Sequence, residues 1–182
     1  FILLHGQAVG NTALLCALAI GVQLTVNPLA AYALSRFPGR RSSRVLLVLL
    51  ATMAFPAEIA LIPSFLLLKD LGLLNTFLAL VLPGAASGYM IYLLKGFFDS
   101  LPGELFESGQ LDGATEGRML WKIALPLSRP VLGYLALLAF MGAYSSFLFA
   151  FLVCQDRSKW TLMVFLYQLQ LSAPRATVMA AL

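Results

Sequence analysis

The 182 residues are 60% hydrophobic and only 11% charged, with a mean hydropathy of +0.89. Soluble globular domains run about 45–50% apolar and about 25% charged, so this is a membrane composition. The formal net charge of +4 does not point to nucleic acid, because no basic face alternates with stacking aromatics.

Residues 12–34 form an uncharged run long enough to cross about 30 Å of hydrocarbon, with Pro28 expected to kink it. The loop "SRFPGRRSSR" follows. Residues 45–68 read as a second span, interrupted by Pro56 and Pro63 and carrying Glu58, and "KDLG" then makes a short turn. Residues 73–94 are a third span; its "GAASG" has the Gly-x-x-x-Gly spacing that lets helices approach closely, a pattern that also arises by chance. Residues 95–130 are the one long polar passage, and residues 131–153 a fourth, uncharged span. After "QDRSK", residues 160–171 are too short to cross and are expected at the interface or folded back into the protein. A further span begins near residue 176. Strands of a barrel would alternate polar and apolar residues, so the expected class is an all-α polytopic membrane protein.

Charge placement orients these spans. Arg36, Arg40, Arg41, Arg44, Lys95, Arg118, Lys122 and Arg129 fall on one side; Lys69, Arg157, Lys159 and Arg175 fall on the other. The positive-inside rule makes the richer side cytoplasmic. The chain begins without Met and stops in "VMAAL", so it reads as a fragment, with about five spans visible of six and both ends of the whole inside. Cys16 and Cys154 offer neither a disulfide framework nor a metal spacing. His5 stands alone as a loop residue, Trp121, Trp160 and Tyr167 suit interfacial anchors, and Asn11 with Thr12 reads as a helix cap.

The polar passage has the makings of two short helices. Asp99 and Ser100 are N-cap residue types, Pro102 and Glu104 suit a first turn, and Leu101, Leu105 and Phe106 would share a face. Asp112-Gly113 reads as a break, and a second helix at about 115–124 carries Met119, Leu120 and Trp121. Apolar residues exposed beside charges suit a docking surface; a solvated loop is the alternative.

Glu107, five residues, Gly113, nine more, then Ile123-x-Leu125-Pro126 resembles the "EAA" loop of binding-protein-dependent ABC transporter permeases. "LDGAT" at 111–115 and Pro130 look like the sugar-importer branch, the relatives of the maltose permeases. "AAYALSRFPGR", "FPAEIALIPSFLLLKDLGLLNT", "LLKGFFDSLP" and "GAYSSFLFAFLV" also resemble family segments. The resemblance implies a type I importer helical bundle: a single permease domain over 1–182, with a cytoplasmic coupling loop at 99–126. Glu107, Ser108, Gly109, Asp112, Gly113 and Ala114 would contact an ATP-hydrolysing subunit, while Ile123, Leu125 and Pro126 would hold the second helix against the membrane domain. The family prefers two alanines where Ser108 and Gly109 stand; a helical glycine in place of alanine costs about 1 kcal/mol.

The same resemblance implies its partners: two copies of an ABC ATP-binding subunit, a second permease subunit, an extracytoplasmic solute-binding protein and the lipid bilayer of a bacterial plasma (inner) membrane. It implies a sugar, oligosaccharide or related polyol as solute, with no cofactor, metal or catalytic residue. Five residues are candidates for the solute pathway. Glu58 is an intramembrane carboxylate between two prolines, a setting found in transport pathways, though it could instead pair within the bundle. Tyr144, Ser145, Ser146 and Phe147 could face a solute, or the serines could bond neighbouring helices.

Two other functions compete. An ion-gradient transporter needs paired ionisable groups at mid-membrane depth, for which Glu58 is the one candidate. An intramembrane enzyme needs a nucleophile–base pair or metal site, against which stand a single histidine and no G-x-S-x-G. With no G-x-x-x-x-G-K-[ST] phosphate loop, any ATP-driven function requires a partner.

Overall fold

The computed structural model describes residues 2–56 and 58–172, and these are helical, with no strand among them. The helices are α1 (Ile2–Arg36), α2 (Arg40–Thr52), α3 (Leu61–Asp70), α4 (Phe77–Val81), α5 (Gly88–Asp99), α6 (Gly103–Leu111), α7 (Glu116–Met119), α8 (Leu125–Leu127), α9 (Arg129–Ser145), α10 (Leu148–Val153) and α11 (Leu162–Ser172). Among them, Gly6–Arg36 alone is long and apolar enough to cross a membrane unbroken. Up to three cross if Phe77–Gly84 with Gly88–Asp99, and Glu116–Leu127 with Arg129–Ser145, each count as one broken span. Large apolar side chains such as Leu14, Leu47, Val48 and Leu137 stand exposed, as a lipid-facing surface requires.

Several expected spans are interrupted. The run 45–68 is not one helix, since α2 ends at Thr52 and turns lead to α3. Pro56 disfavours a helical conformation for the residue before it, and Phe55 is not helical, while Pro63 sits in the first turn of α3, where its missing N–H is no loss. The run 131–153 breaks at Ser146 and Phe147. Conversely, α1 passes through Pro28, and Arg40, Arg41 and Arg44 belong to α2 rather than to a loop, which shrinks to three residues. The span expected from residue 176 lies outside the described residues.

The chain divides into two compact units. The first takes the described residues of Phe1–Ile20, Ala57–Gly84 and Ala139–Leu182. Its core is Leu68, Ala79, Val153 and Cys154, with Phe65, Leu74 and Phe149 packed around them. Asn11 and Thr12 are not a helix cap but mid-helix clamps. Asn11 Nδ2 donates to the carbonyls of Ser158 (2.9 Å) and Trp160 (3.0 Å), and Thr12 Oγ1 accepts from the Leu162 N–H at 2.8 Å, capping α11. Asn75, at a φ of 60°, holds the same loop from its other end: its N–H donates to the Val153 carbonyl and its Oδ1 accepts from the Asp156 N–H. The short helix α11 is folded back onto the protein, with Tyr167 against the rings of Phe147 and Phe151.

The second unit comprises Gly21–Pro56 and Ala85–Leu138. Asn27, fully buried in α1, donates to the Gln23 and Ala85 carbonyls and accepts from the Ser87 N–H at 2.8 Å, so it satisfies the broken backbone ahead of α5. The "GAASG" spacing proves to matter at its second glycine. A Cβ built on Gly88 would lie 2.7 Å from the Leu49 carbonyl oxygen, so glycine sets the α2–α5 contact. Gly88→Ala is expected to destabilise the protein by about 1–3 kcal/mol through overpacking. A lowered melting temperature in detergent is the readout, and an unchanged one would remove this contact as a determinant.

Candidate functional site

Two regions hold the residues singled out in the sequence. The first is α6, its turn and α7, all in the second unit. Asp99 and Ser100 do not cap α6: Asp99 ends α5, where its carboxylate accepts from Lys95 and from Ser35 Oγ (2.7 Å), and the N-cap of α6 is Pro102. The turn is built as the sequence suggests. Gly113 has φ +73°, its N–H donates to the Gln110 carbonyl, and the Ala114 N–H donates to the Gly109 carbonyl. Those two bonds make a Schellman motif, which needs a left-handed residue after the helix and so favours glycine. Thr115 then caps α7 by accepting from the Arg118 N–H. A π-type turn at Leu120–Ala124 follows, so the second helix runs on to Leu127 instead of ending near residue 124. It bends by 82° into α9 at buried Ser128, whose hydroxyl donates to the Ala124 carbonyl.

The two faces of this helical pair differ. Phe106, Met119, Leu120 and Ala124 are buried, whereas Leu105 points outward rather than sharing the face of Phe106. Glu107, Ser108, Asp112 and Gly113 are exposed, and Gly109 and Ala114 half-buried. Leu111 is 89% exposed and Trp121 67%, and the same short segment carries Glu107, Asp112, Arg118 and Lys122, all exposed. Ile123, Leu125 and Pro126 are half-buried. Nothing lies within 4 Å of a Cβ placed on Gly113, while one on Gly109 would touch Ile123 and Met119 at 3.4 Å. The family's alanine would therefore fit at 109 in ordinary contact.

Sequence reasoning missed what holds this segment in place. Tyr32 Oη donates to Glu116 Oε2 at 2.8 Å, and Arg36 Nε lies 3.7 Å from the same oxygen. The Arg36 guanidinium stacks 4.3 Å from the centre of the Phe106 ring, and Tyr32 meets Phe98 edge-on at 5.9 Å. The C-terminal end of α1 thus grips both α6 and α7. Arg36 Nε is buried without a hydrogen-bond partner among the described residues. Its last-turn position on α1 was legible; its pairing with a residue eighty positions away was not.

The second region is a cavity of about 690 Å³ lying wholly within the first unit. It gathers Glu58, Ser145, Ser146 and Phe147, together with Ser64 and Phe149, which sequence reasoning did not single out. Tyr144 is not part of its wall; it is exposed and stacks on Phe140 at 5.8 Å. The cavity exists because both helical breaks meet there. The turn before α3 delivers Glu58, and the α9–α10 break delivers Ser145 to Phe147. Ser145 Oγ donates to the Met141 carbonyl at 2.7 Å, and Phe147 is stacked on Phe151. Past the end of α10, burial pushes the Cys154 thiol up to about 11, only partly offset by Lys159, so it stays protonated and unreactive at neutral pH.

Residues 27–182 match the family described as binding-protein-dependent transport system inner membrane component. The chain belongs to this family. The permease is 35% identical to Protein LplC of Bacillus subtilis (strain 168) over 89% of this chain and 54% of that one. It is 33% identical to the diacetylchitobiose uptake system permease protein NgcG of Streptomyces coelicolor, over 84% of this chain and 51% of the relative. Among solved structures, a bacterial ABC transporter involved in import of the acidic polysaccharide alginate matches with a TM-score of 0.87 at 27% identity. That match covers 97% of this chain and 63% of the other. The permease spans about half the length of these curated relatives.

Proposed function

We propose that this permease is the membrane component of an ATP-driven importer in a bacterial plasma membrane, for a sugar or related polyol. It works with a second permease subunit, two copies of an ATP-binding subunit and an external solute-binding protein. The observation that carries this reading is the α6–α7 segment. Its fold is fixed from behind by Tyr32, Arg36 and Phe106, while Leu111, Trp121, Glu107 and Asp112 stand outward, exposed and uncovered by any described residue.

Such a surface suits docking to a motor subunit, with residues 99–126 as the coupling loop. Glu107, Ser108, Gly109, Asp112, Gly113 and Ala114 form its contact side, and Ile123, Leu125 and Pro126 its membrane side. Coupling demands that this surface bind the motor differently in two states, because a partner shifts an equilibrium only through differential affinity. The cavity containing Glu58, Ser145, Ser146 and Phe147 is the solute pathway in this reading; Tyr144 lies beside it in sequence but outside its wall. The uptake system named for diacetylchitobiose supports a saccharide as the solute class.

The reading predicts that solute uptake by the complete transporter continues when the proton gradient is collapsed by an ionophore at constant ATP. Uptake that stops under those conditions would replace it with the ion-gradient reading, in which Glu58 is the coupling carboxylate.

A further inference from the structure

We infer that the cavity around Glu58 admits an uncharged, hydroxyl-rich solute and rejects anionic ones; this rests on the pathway reading above. Glu58 is the one charged residue in the cavity wall, and it makes no hydrogen bond or ion pair with any described residue. Among the described residues, the cations of the same unit do not compensate it from the wall. Arg157 lies 5.7 Å from the Trp160 ring centre and Lys159 5.1 Å from that of Phe77, and Lys69 ends α3 outside the lining. Glu58 is exposed, so solvent partly screens it, but a trianion passing beside it meets like-charge repulsion several times over, which weakens binding by about tenfold.

The same wall suits sugar hydroxyls. A carboxylate accepts charge-assisted bonds from two neighbouring hydroxyls at once. Ser64 and Ser146 can each donate and accept, and Ser145, whose proton is committed to Met141, can still accept. Phe147 offers a ring held by its contacts with Phe151 and Tyr167, a fixed apolar plate for the C–H face of a saccharide. A volume of about 690 Å³ falls in the range of pockets that enclose drug-sized molecules, ~300–1,000 Å³, and far exceeds what a bare ion needs. The alginate importer of similar fold is involved in importing an acidic polysaccharide, so the fold alone does not set solute charge.

The test uses the complete permease, assembled with its partner permease and ATP-binding subunits in nanodiscs without the external binding protein. Equilibrium binding of maltotriose and trigalacturonate is measured on native protein and on Glu58→Gln, with size exclusion confirming intact assembly. The expected result is maltotriose bound at least about tenfold more tightly than trigalacturonate by native protein, with the gap narrowing to within about threefold in Glu58→Gln. Equal or tighter binding of trigalacturonate, an unchanged gap in Glu58→Gln, or no binding of either sugar would each overturn the inference. ATP-dependent uptake persisting beside such a result leaves the importer reading standing, so the two fail separately.

Discussion

Glu116→Ala is expected to loosen the α6–α7 segment from α1 and to uncouple ATP hydrolysis from uptake. The substitution removes the acceptor of the Tyr32 hydroxyl and the anion facing Arg36, two groups that no other described residue satisfies equally. A hydrogen bond to a charged acceptor contributes about 1.5–3 kcal/mol, and leaving its buried partner unpaired costs a similar amount. The Arg36 and Glu116 side chains are 24% and 38% exposed, so the ion pair adds less than a fully buried one, and the expected total is about 2 kcal/mol. A lower melting temperature together with retained ATP hydrolysis but reduced uptake would match. Tyr32→Phe, which removes one hydroxyl, should show part of the effect. Arg36→Lys tests the other half: an ammonium keeps the charge but loses the planar stack over Phe106. Uptake per ATP unchanged in all three would exclude the contacts of α1 with Glu116 and Phe106 as a part of coupling.

Gly113→Asp is expected to leave the fold largely intact and to abolish binding of the ATP-binding subunit. The residue sits at φ +73°, a region that costs an ordinary residue about 1–2 kcal/mol but that Asp enters more readily than most. No atom lies within 4 Å of the added Cβ, so the strain is confined to the backbone. What changes is the outward face, which gains bulk and a second carboxylate beside Asp112. Co-purification of the complete permease with its ATP-binding subunit should fall at least tenfold, a loss of about 1.4 kcal/mol or more in binding. Gly113→Ala carries the backbone strain without the charge and should retain more of the partner. Equal co-purification for Gly113→Asp and native protein would mean that docking occurs elsewhere.

The turn at Gly113 was legible because its chemistry is local. An aspartate and a glycine after a short helix specify a helix stop, although the Thr115 cap that starts the next helix was not anticipated. The membrane class was legible for a different reason, since composition alone separates lipid-facing chains from soluble ones. Helix breaks inside the apolar runs were harder. In 45–68 and 131–153 nearly every residue is apolar, so no periodicity marks where a helix ends, and a proline can sit harmlessly in a first turn, as Pro63 does, or accompany a break, as Pro56 does. Glu58, Ser145 and Ser146 were found through their polarity in an apolar setting, but the same signal missed Ser64 in the cavity wall and misplaced Tyr144, which stacks on Phe140. Asn11 was misread as a cap because its partners, Ser158 and Trp160, lie about 150 residues away, and no local pattern announces such a pairing.

That pairing has a thermodynamic side. Asn11, Thr12 and Asn75 fix the segment from Asp156 to Leu162 at both ends before anything touches it. Ordering a floppy loop on association costs about 0.5–1.5 kcal/mol for each immobilised side chain, and here much of that freedom is already gone. A ligand that recognises Arg157, Lys159 or Trp160 meets a surface whose shape is settled in advance. Its binding should therefore be governed by fit and charge, with little entropy lost on the permease side.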